Sequence, residues 1–467
     1  MSGTSIARLA GVLLLGCCTI STARAAITPH ALFSEHAVLQ QGVRVPVWGT
    51  TDQDEEVTVS IAGQEVSAKP ADGKWRVDLE PLSAGGPHVL TIKQGATSVE
   101  LKDVMIGEVW ICGGQSNMQW TLKQSDGGSE AIANSANDKI RLLTVPREGA
   151  DKPRTDVKAA WSICGPQTSG DFSAVGYFFG RDLQKALDVP VGLIASNVGG
   201  TAAEQWMKKE VIEAHPELKD MSKPQGASML YNAMIAPLAP YAIKGVIWYQ
   251  GESNASRAYQ YRTLLPAMIK NWRDTFGQGD FPFLIVQIAP YTEIVEEPSD
   301  SIWAEIRDAQ FHVNQNVPRT ALIVTTDVGD EGDIHPRRKE PVGQRLALAA
   351  RAVGYGEKIE HSGPMYDSMS IDGDKIRLRF KHVGSGLQAK DGELSGFTIA
   401  GEDQKFYKAD AKIDGDTVVV SSSEVPKPVA VRYGWAAYPV VNLWNGDDLP
   451  ASPFRTDSFP VTTQDKK

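Results

Sequence analysis

Apolar and polar positions alternate through most of residues 26–102. The segments VTVSIAG (57–63), WRVDLE (75–80) and VLTIKQG (89–95) set their apolar side chains largely two apart, with Gly, Asp and Pro between the segments. Period-two alternation broken by short turns predicts a small antiparallel β-sandwich. From about residue 103 to 355 the rhythm changes. Near-continuous apolar runs recur as VWIC (109–112), VGLIAS (191–196), VIWYQ (246–250), FLIVQIA (283–289) and ALIVTTD (321–327). Between them, Val175, Phe178, Phe179, Leu183 and Ala186 fall at helical spacing, as do Ala258, Tyr261, Leu264, Leu265, Met268 and Trp272. Buried strands alternating with amphipathic helices predict a parallel sheet covered on both faces. After about residue 354 strand patterns return: IRLRF (376–380), FTIAG (397–401), TVVVS (417–421) and AVRYGWAA (430–437). Asp372-Gly373-Asp374 and Asp414-Gly415-Asp416 act as turn signals. The polar tail 462–467 reads as a frayed end.

The expected organisation is a leader over 1–25, a β-rich module over 26–102, an α/β domain over 103–355 and a second β-rich module over 356–467. The leader rests on Arg8, the apolar run 9–18 and Ala23-Arg24-Ala25, which together resemble a secretory signal too short to span a bilayer. An alternative is a lipid anchor at Cys17, since Leu14-Leu15-Gly16-Cys17 resembles a lipoprotein box. Either reading implies export to a periplasmic or extracellular space. No later segment is apolar enough to cross a membrane. A net charge of −10 with no basic run argues against a nucleic-acid partner. Beyond the leader the chain keeps Cys112 and Cys164, which either pair in an oxidising compartment or stay as buried free thiols.

In open α/β sheets ligands bind beyond the carboxyl ends of the strands. Here those ends are GGQSNM (113–118), SNVGGT (196–201), YQGESN (249–254), and Asp327 and Asp330 followed by GDIHP (332–336). Together they hold a serine, a histidine, carboxylates and amides. Acyl transfer needs a hydroxyl nucleophile, an imidazole base and a carboxylate that orients the imidazole. Ser116 stands at a strand-to-helix turn where Gly113 and Gly114 permit close backbone approach; the plain alternative is a glycine-rich turn with an incidental serine. His335, between Gly332 and Pro336 and just before a helical pattern, is the best base among eight histidines. Trp120, Trp206 and Trp248 flank these loops, either as sugar-stacking rings or as core.

GGQSNM, NVGGT, WYQGESNA and DIHP, in this order, closely resemble the sialate O-acetylesterase and carbohydrate acetylesterase branch of the SGNH hydrolases, as does NLWNGDDLPASPFRTD (442–457). The resemblance implies a three-layer, flavodoxin-like α/β/α catalytic domain with attached β-modules. It implies Ser116 as nucleophile and His335 as base, with the amides of Ser116 and Gly200 and a side-chain amide as oxyanion donors. Gln250 is the first choice for that side chain and Asn254 the fallback. Many members place the orienting Asp three residues before the His, where this chain has Gly332. Asp333, two before, is the expected acid, and Glu252 either replaces it or braces the loop. Asp327 and Asp330 are expected to cap or orient loops. Such chemistry requires no metal and no cofactor. The expected substrate is an acetylated plant cell-wall (hemicellulose) oligosaccharide. Acetylated sialic acid is the alternative, with Arg257 or Arg337 as a carboxylate clamp, and a non-catalytic carbohydrate-binding protein is the reading from a different class.

Overall fold

The computed structural model describes residue 1, residues 27–222 and residues 226–466. The expected leader, with Cys17, lies outside the described residues. The apolar runs of the middle region assemble into one sheet. Its central strand is the last part of Thr97–Gly114, flanked by Val191–Asn197 on one side and Gly245–Tyr249 on the other. Asn137–Thr144 and then Ser162–Cys164 continue the first side; Phe283–Val286 and then Thr320–Ile323 continue the second. Along this path every pairing is parallel except that of Ser162–Cys164 with Asn137–Thr144. Every residue of Val191–Asn197 and Gly245–Tyr249 is buried, as expected of strands covered on both faces.

The cover follows from the pleat. Trp110 and Cys112 point into a core shared with the helices Ala174–Leu187 and Glu340–Ala349. Val109 and Ile111, on the opposite face, pack with Ala258–Phe276 and Ile302–Asn316. Ser173 starts the first of these helices by accepting the Gly176 N–H at 3.0 Å. Periodicity alone did not reveal Asn137–Thr144, because Asp138, Lys139 and Arg141 interrupt its apolar pattern. Arg141 is nonetheless buried, held by both oxygens of Asp103 at 2.5 and 3.1 Å.

The strand Thr97–Gly114 is 18 residues long. Its first part pairs antiparallel with Gly85–Gln94, its middle pairs parallel with Val38–Gln40, and its end is the centre of the main sheet. The expected boundary at 102/103 therefore falls inside one continuous strand. The cores merge there too, with Val47 and Trp75 in the same buried cluster as Trp248 and Leu265. The last part of the chain keeps its own cluster, built on Ile376, Ile399, Val420 and Tyr433. It docks through Arg307, fully buried on the helix Ile302–Asn316, whose guanidinium donates to the carbonyls of Ile288, Ala436 and Ala437 at 2.8–2.9 Å.

The tail departs from expectation. Thr462 and Thr463 both donate backbone and hydroxyl hydrogens to the Glu305 carboxylate, and Thr463 is buried. The segment looks disposable by composition but supplies partners to a buried carboxylate. Cys112 and Cys164 are buried free thiols, and burial pushes Cys164 up to about 12. Among the described residues no helix is long and apolar enough to cross a membrane.

The central strand ends on a close approach. Gly114 has φ +137°, and a Cβ there would sit 2.2 Å from the Tyr249 carbonyl oxygen. Gly114→Ala is expected to cost more than about 2 kcal/mol, through backbone strain and the displaced neighbour. Urea unfolding of the variant measures this; a loss below half that value means the two strand ends part freely.

Candidate active site

Pairing sets the strand ends at one level. Gly114 is in register with both Asn197 and Tyr249, Tyr249 with Val286, and Val286 with Ile323. The chain leaves the central strand toward Asn137–Thr144 and Val191–Asn197, then crosses to Gly245–Tyr249 on the other side. The end of the central strand is thus a topological switch point, where such sheets open a crevice. Ser116 lies there as the first residue of the short helix Ser116–Gln119, with Gln115 extended before it.

Each neighbouring loop is tied to this turn. Gln115 donates its N–H to the Tyr249 carbonyl at 2.9 Å, and its side-chain oxygen accepts from Gly251 N (3.4 Å) and Ser253 N (3.3 Å). Gln119 accepts the Gly199 N–H at 2.7 Å. A Cβ on Gly199 would stand 3.3 Å from the Ser116 Cβ, so the 197–201 loop passes directly beside the serine.

His335 reaches the same place from the far edge of the sheet. Its backbone N–H donates to Asp333 Oδ1 at 2.8 Å, and its Nδ1 lies 3.2 Å from the same oxygen. The ring stacks on Trp120, with centroids 5.3 Å apart and planes at 17°. A carboxylate on Nδ1 favours the tautomer that leaves Nε2 as acceptor. Asp330 accepts from Gly332 N and Asp333 N at 2.9 and 3.2 Å, and Asp327 holds Arg345 through two bonds at 2.7 and 2.8 Å. Both orient the loop, as expected.

Beneath the serine sits a polar knot. The Asn117 amide donates to Glu252 Oε1 at 2.7 Å and to the Ile334 carbonyl at 3.1 Å, and its oxygen accepts from Lys339 Nζ at 2.5 Å. One side chain thereby joins the serine turn, the QGES loop and the histidine loop. Burial raises the Glu252 carboxyl above the usual range, while Asn117, Lys339 and His335 act against that rise. Its second oxygen is shielded from solvent with no hydrogen-bond partner among the described residues. Burial pulls Lys339 down to about 7, and its ammonium lies 5.9 Å from the Trp120 ring centroid and 5.5 Å from that of Tyr249. Sequence reasoning passed over Lys339 because lysines are rarely buried. Its only sequence signal is its place four residues after His335, at the mouth of the helix Glu340–Ala349.

The two side-chain amides expected at the oxyanion lie inside the protein. Gln250 is fully buried; its NH2 donates to Thr201 O (3.2 Å) and Asn254 Oδ1 (2.7 Å), and its oxygen accepts from Tyr261 (2.7 Å). Both of its hydrogens are spent, so Gln250 has none left for a ligand in this arrangement. Asn254 is buried as well, accepting from Ala203 N at 3.0 Å and donating to Glu204 Oε2 at 3.1 Å. The two amides brace the 201–204 segment. Gly200 is exposed in the left-handed region at φ +72°, and its N–H meets no acceptor among the described residues.

Arg257 is engaged by Glu204 at 2.8 Å, and Arg337 lies 3.3 Å from Asp126. Trp206 and Trp248 are fully buried in the core, whereas Trp120 is half-buried against His335.

Comparison with known proteins identifies the family. A family profile described as carbohydrate esterase, sialic acid-specific acetylesterase, matches residues 106–352. The chain is 32% identical over 463 residues to the human (Homo sapiens) sialate O-acetylesterase, covering 87% of this chain and 88% of that protein. The mouse (Mus musculus) sialate O-acetylesterase is likewise 32% identical, over 488 residues, covering 87% and 90%. Among solved structures, a carbohydrate acetylesterase from Xanthomonas citri superposes with a TM-score of 0.87 and 42% identity, over 92% of this chain and all of that one. This chain belongs to the carbohydrate esterase family of sialic acid-specific acetylesterases and is a carboxylic-ester hydrolase.

Proposed function

We propose that the protein is an exported carbohydrate O-acetylesterase on an SGNH-type α/β/α domain, working through Ser116, His335 and Asp333. The observation that carries this is the Asp333 carboxylate on His335 Nδ1, with the imidazole held by Trp120 against the helix that bears Ser116. In the reaction, Ser116 Oγ attacks the acetyl carbonyl carbon and His335 takes the hydroxyl proton. The C–O bond to the sugar breaks, and that proton passes to the departing sugar oxygen. Water, deprotonated by the same imidazole, then hydrolyses the acetyl-serine to acetate and restores the serine.

The developing oxyanion is met by the backbone N–H groups of Ser116 and Gly200. With Gln250 and Asn254 spent in the interior, the hole rests on these amides, and removing one such donor typically costs about 3 kcal/mol of transition-state stabilisation. Glu252 acts with Asn117 and Lys339 as the brace that keeps the serine and histidine loops in register. Export follows the reading of residues 1–25, and the site needs no metal.

The substrate we favour is an acetylated neutral oligosaccharide of the plant cell-wall (hemicellulose) kind. Arg257 and Arg337 both have carboxylate neighbours, so neither offers a free clamp for a sugar acid. One observation favours the sialate reading. Arg147 is exposed beside the 197–201 loop and donates its Nε to the Asn197 carbonyl at 3.1 Å, with no carboxylate partner among the described residues. Acetate release from acetylated xylan, xyloglucan and O-acetyl sialic acids decides between them. Release from sialic acids alone, lost in Arg147→Ala, overturns the neutral-sugar reading.

Four substitutions test the machinery. Ser116→Ala should lower acetate release by at least ~10⁴-fold, given what removal of a serine nucleophile does elsewhere; unchanged turnover removes Ser116 from the mechanism. Asp333→Asn should lower kcat by roughly 10²- to 10⁴-fold. If it keeps the wild-type rate while Glu252→Gln loses it, the orienting acid is Glu252. Lys339→Met should destabilise the fold by about 3 kcal/mol, because it leaves Glu252 buried without its cation. Adding Glu252→Gln should return more than half of that in urea unfolding. Additive losses mean that the two residues do not act as a pair.

A further inference from the structure

Outside the active site, the described residues contain one cluster with the donor types and spacing of a metal centre. Glu360 and His361 lie in the connection that leads into the strand Met365–Asp372. His382 follows directly on the next strand, Lys375–Lys381. One ligand atom from each of the three lies within 4.8 Å of the others. His382 Nδ1 stands 2.8 Å from Glu360 Oε1, and the two imidazole rings meet edge to face with centroids 5.0 Å apart.

We propose that Glu360, His361 and His382 form a binding site for a divalent first-row transition metal ion of the zinc type. Two imidazoles and one carboxylate are a borderline donor set that zinc accepts at about 2.0–2.2 Å, with the fourth tetrahedral position left to water. Donors at those lengths are separated by roughly 3.3 Å, so the observed cluster needs only a small contraction and an opening of the Glu360–His382 contact. Calcium and magnesium, which take oxygen donors, fit this set poorly.

The surroundings already hold the three donors in place. Glu360 Oε1 accepts from His361 N at 2.9 Å and Ser362 N at 3.3 Å, which fixes the carboxylate over its own turn. The Asn445 amide donates to the carbonyls of Ser362 (3.0 Å) and His382 (3.1 Å), bracketing the two loops that carry the ligands. All three residues are half-buried. Bound metal would cross-link the segment leaving the α/β region to the first hairpin of the last β-region. This proposal does not depend on the esterase reading.

The test uses the full chain, stripped with a chelator, dialysed and titrated with zinc chloride by calorimetry, with cobalt(II) absorption as a second readout. Wild type should bind one equivalent, and its thermal midpoint should rise with zinc. His361→Asn and His382→Asn should each weaken binding by at least about 100-fold, and Glu360→Gln should weaken it while preserving the turn, whereas His335→Asn should bind as wild type does. Circular dichroism of the metal-free variants separates lost ligation from lost folding, and Glu360→Gln keeps the test open if a histidine variant misfolds. No stoichiometric zinc binding by wild type, or an unchanged equivalent in the His361→Asn/His382→Asn double variant, would overturn the site and leave a hydrogen-bonded Glu–His pair that closes the junction on its own.

Discussion

The candidate active face depends on where the strand Thr97–Gly114 stops. Gly114 passes so close to the Tyr249 carbonyl that no side chain fits between them, and the same register brings Asn197 to that level from the other side. Three loops that are far apart in sequence therefore begin at one height. Ser116 emerges two residues later, too soon for the chain to wander. The strand is also anchored far behind the site, because its first part belongs to the N-terminal sheet. The N-terminal β-region thus continues directly into the main sheet.

Below that level, the site is organised by buried polar groups that satisfy one another. Asn117 uses donor and acceptor together to link Glu252, Ile334 and Lys339. A parallel set runs from Tyr261 through Gln250 and Asn254 to Glu204 and Arg257. Buried polar groups of this kind are costly unless nearly every donor and acceptor finds a partner. That cost ties the loop conformations to one another, since moving one loop would strip partners from the others.

Much of the fold was legible in the chain because a strand buried on both faces has to be apolar throughout. The runs at 109–112, 191–196, 246–250, 283–289 and 321–327 became the strands of one sheet, and the helices with clean apolar stripes formed where their spacing predicted. Asn137–Thr144 was missed because Arg141, held by Asp103, is a buried charge in a position that pattern reading assigns to solvent. The 462–467 tail was misjudged for a related reason, since polar threonines look solvated until a buried carboxylate is found to need them.

At the site the same division holds. Ser116, His335 and Asp333 could be proposed from sequence because short motifs at strand ends carry their residue types in contiguous form. The direction of a long amide or ammonium side chain is another matter. Whether Gln250 faces a ligand or the interior, and whether Lys339 reaches solvent or Asn117, depends on partners 4 to 222 residues away in sequence, brought together by the fold. The sequence by itself determined which loops end the strands and which residue types they hold. Only the tertiary structure decided which polar groups are spent on one another and which stay open, because hydrogen-bond satisfaction is a property of neighbours in space.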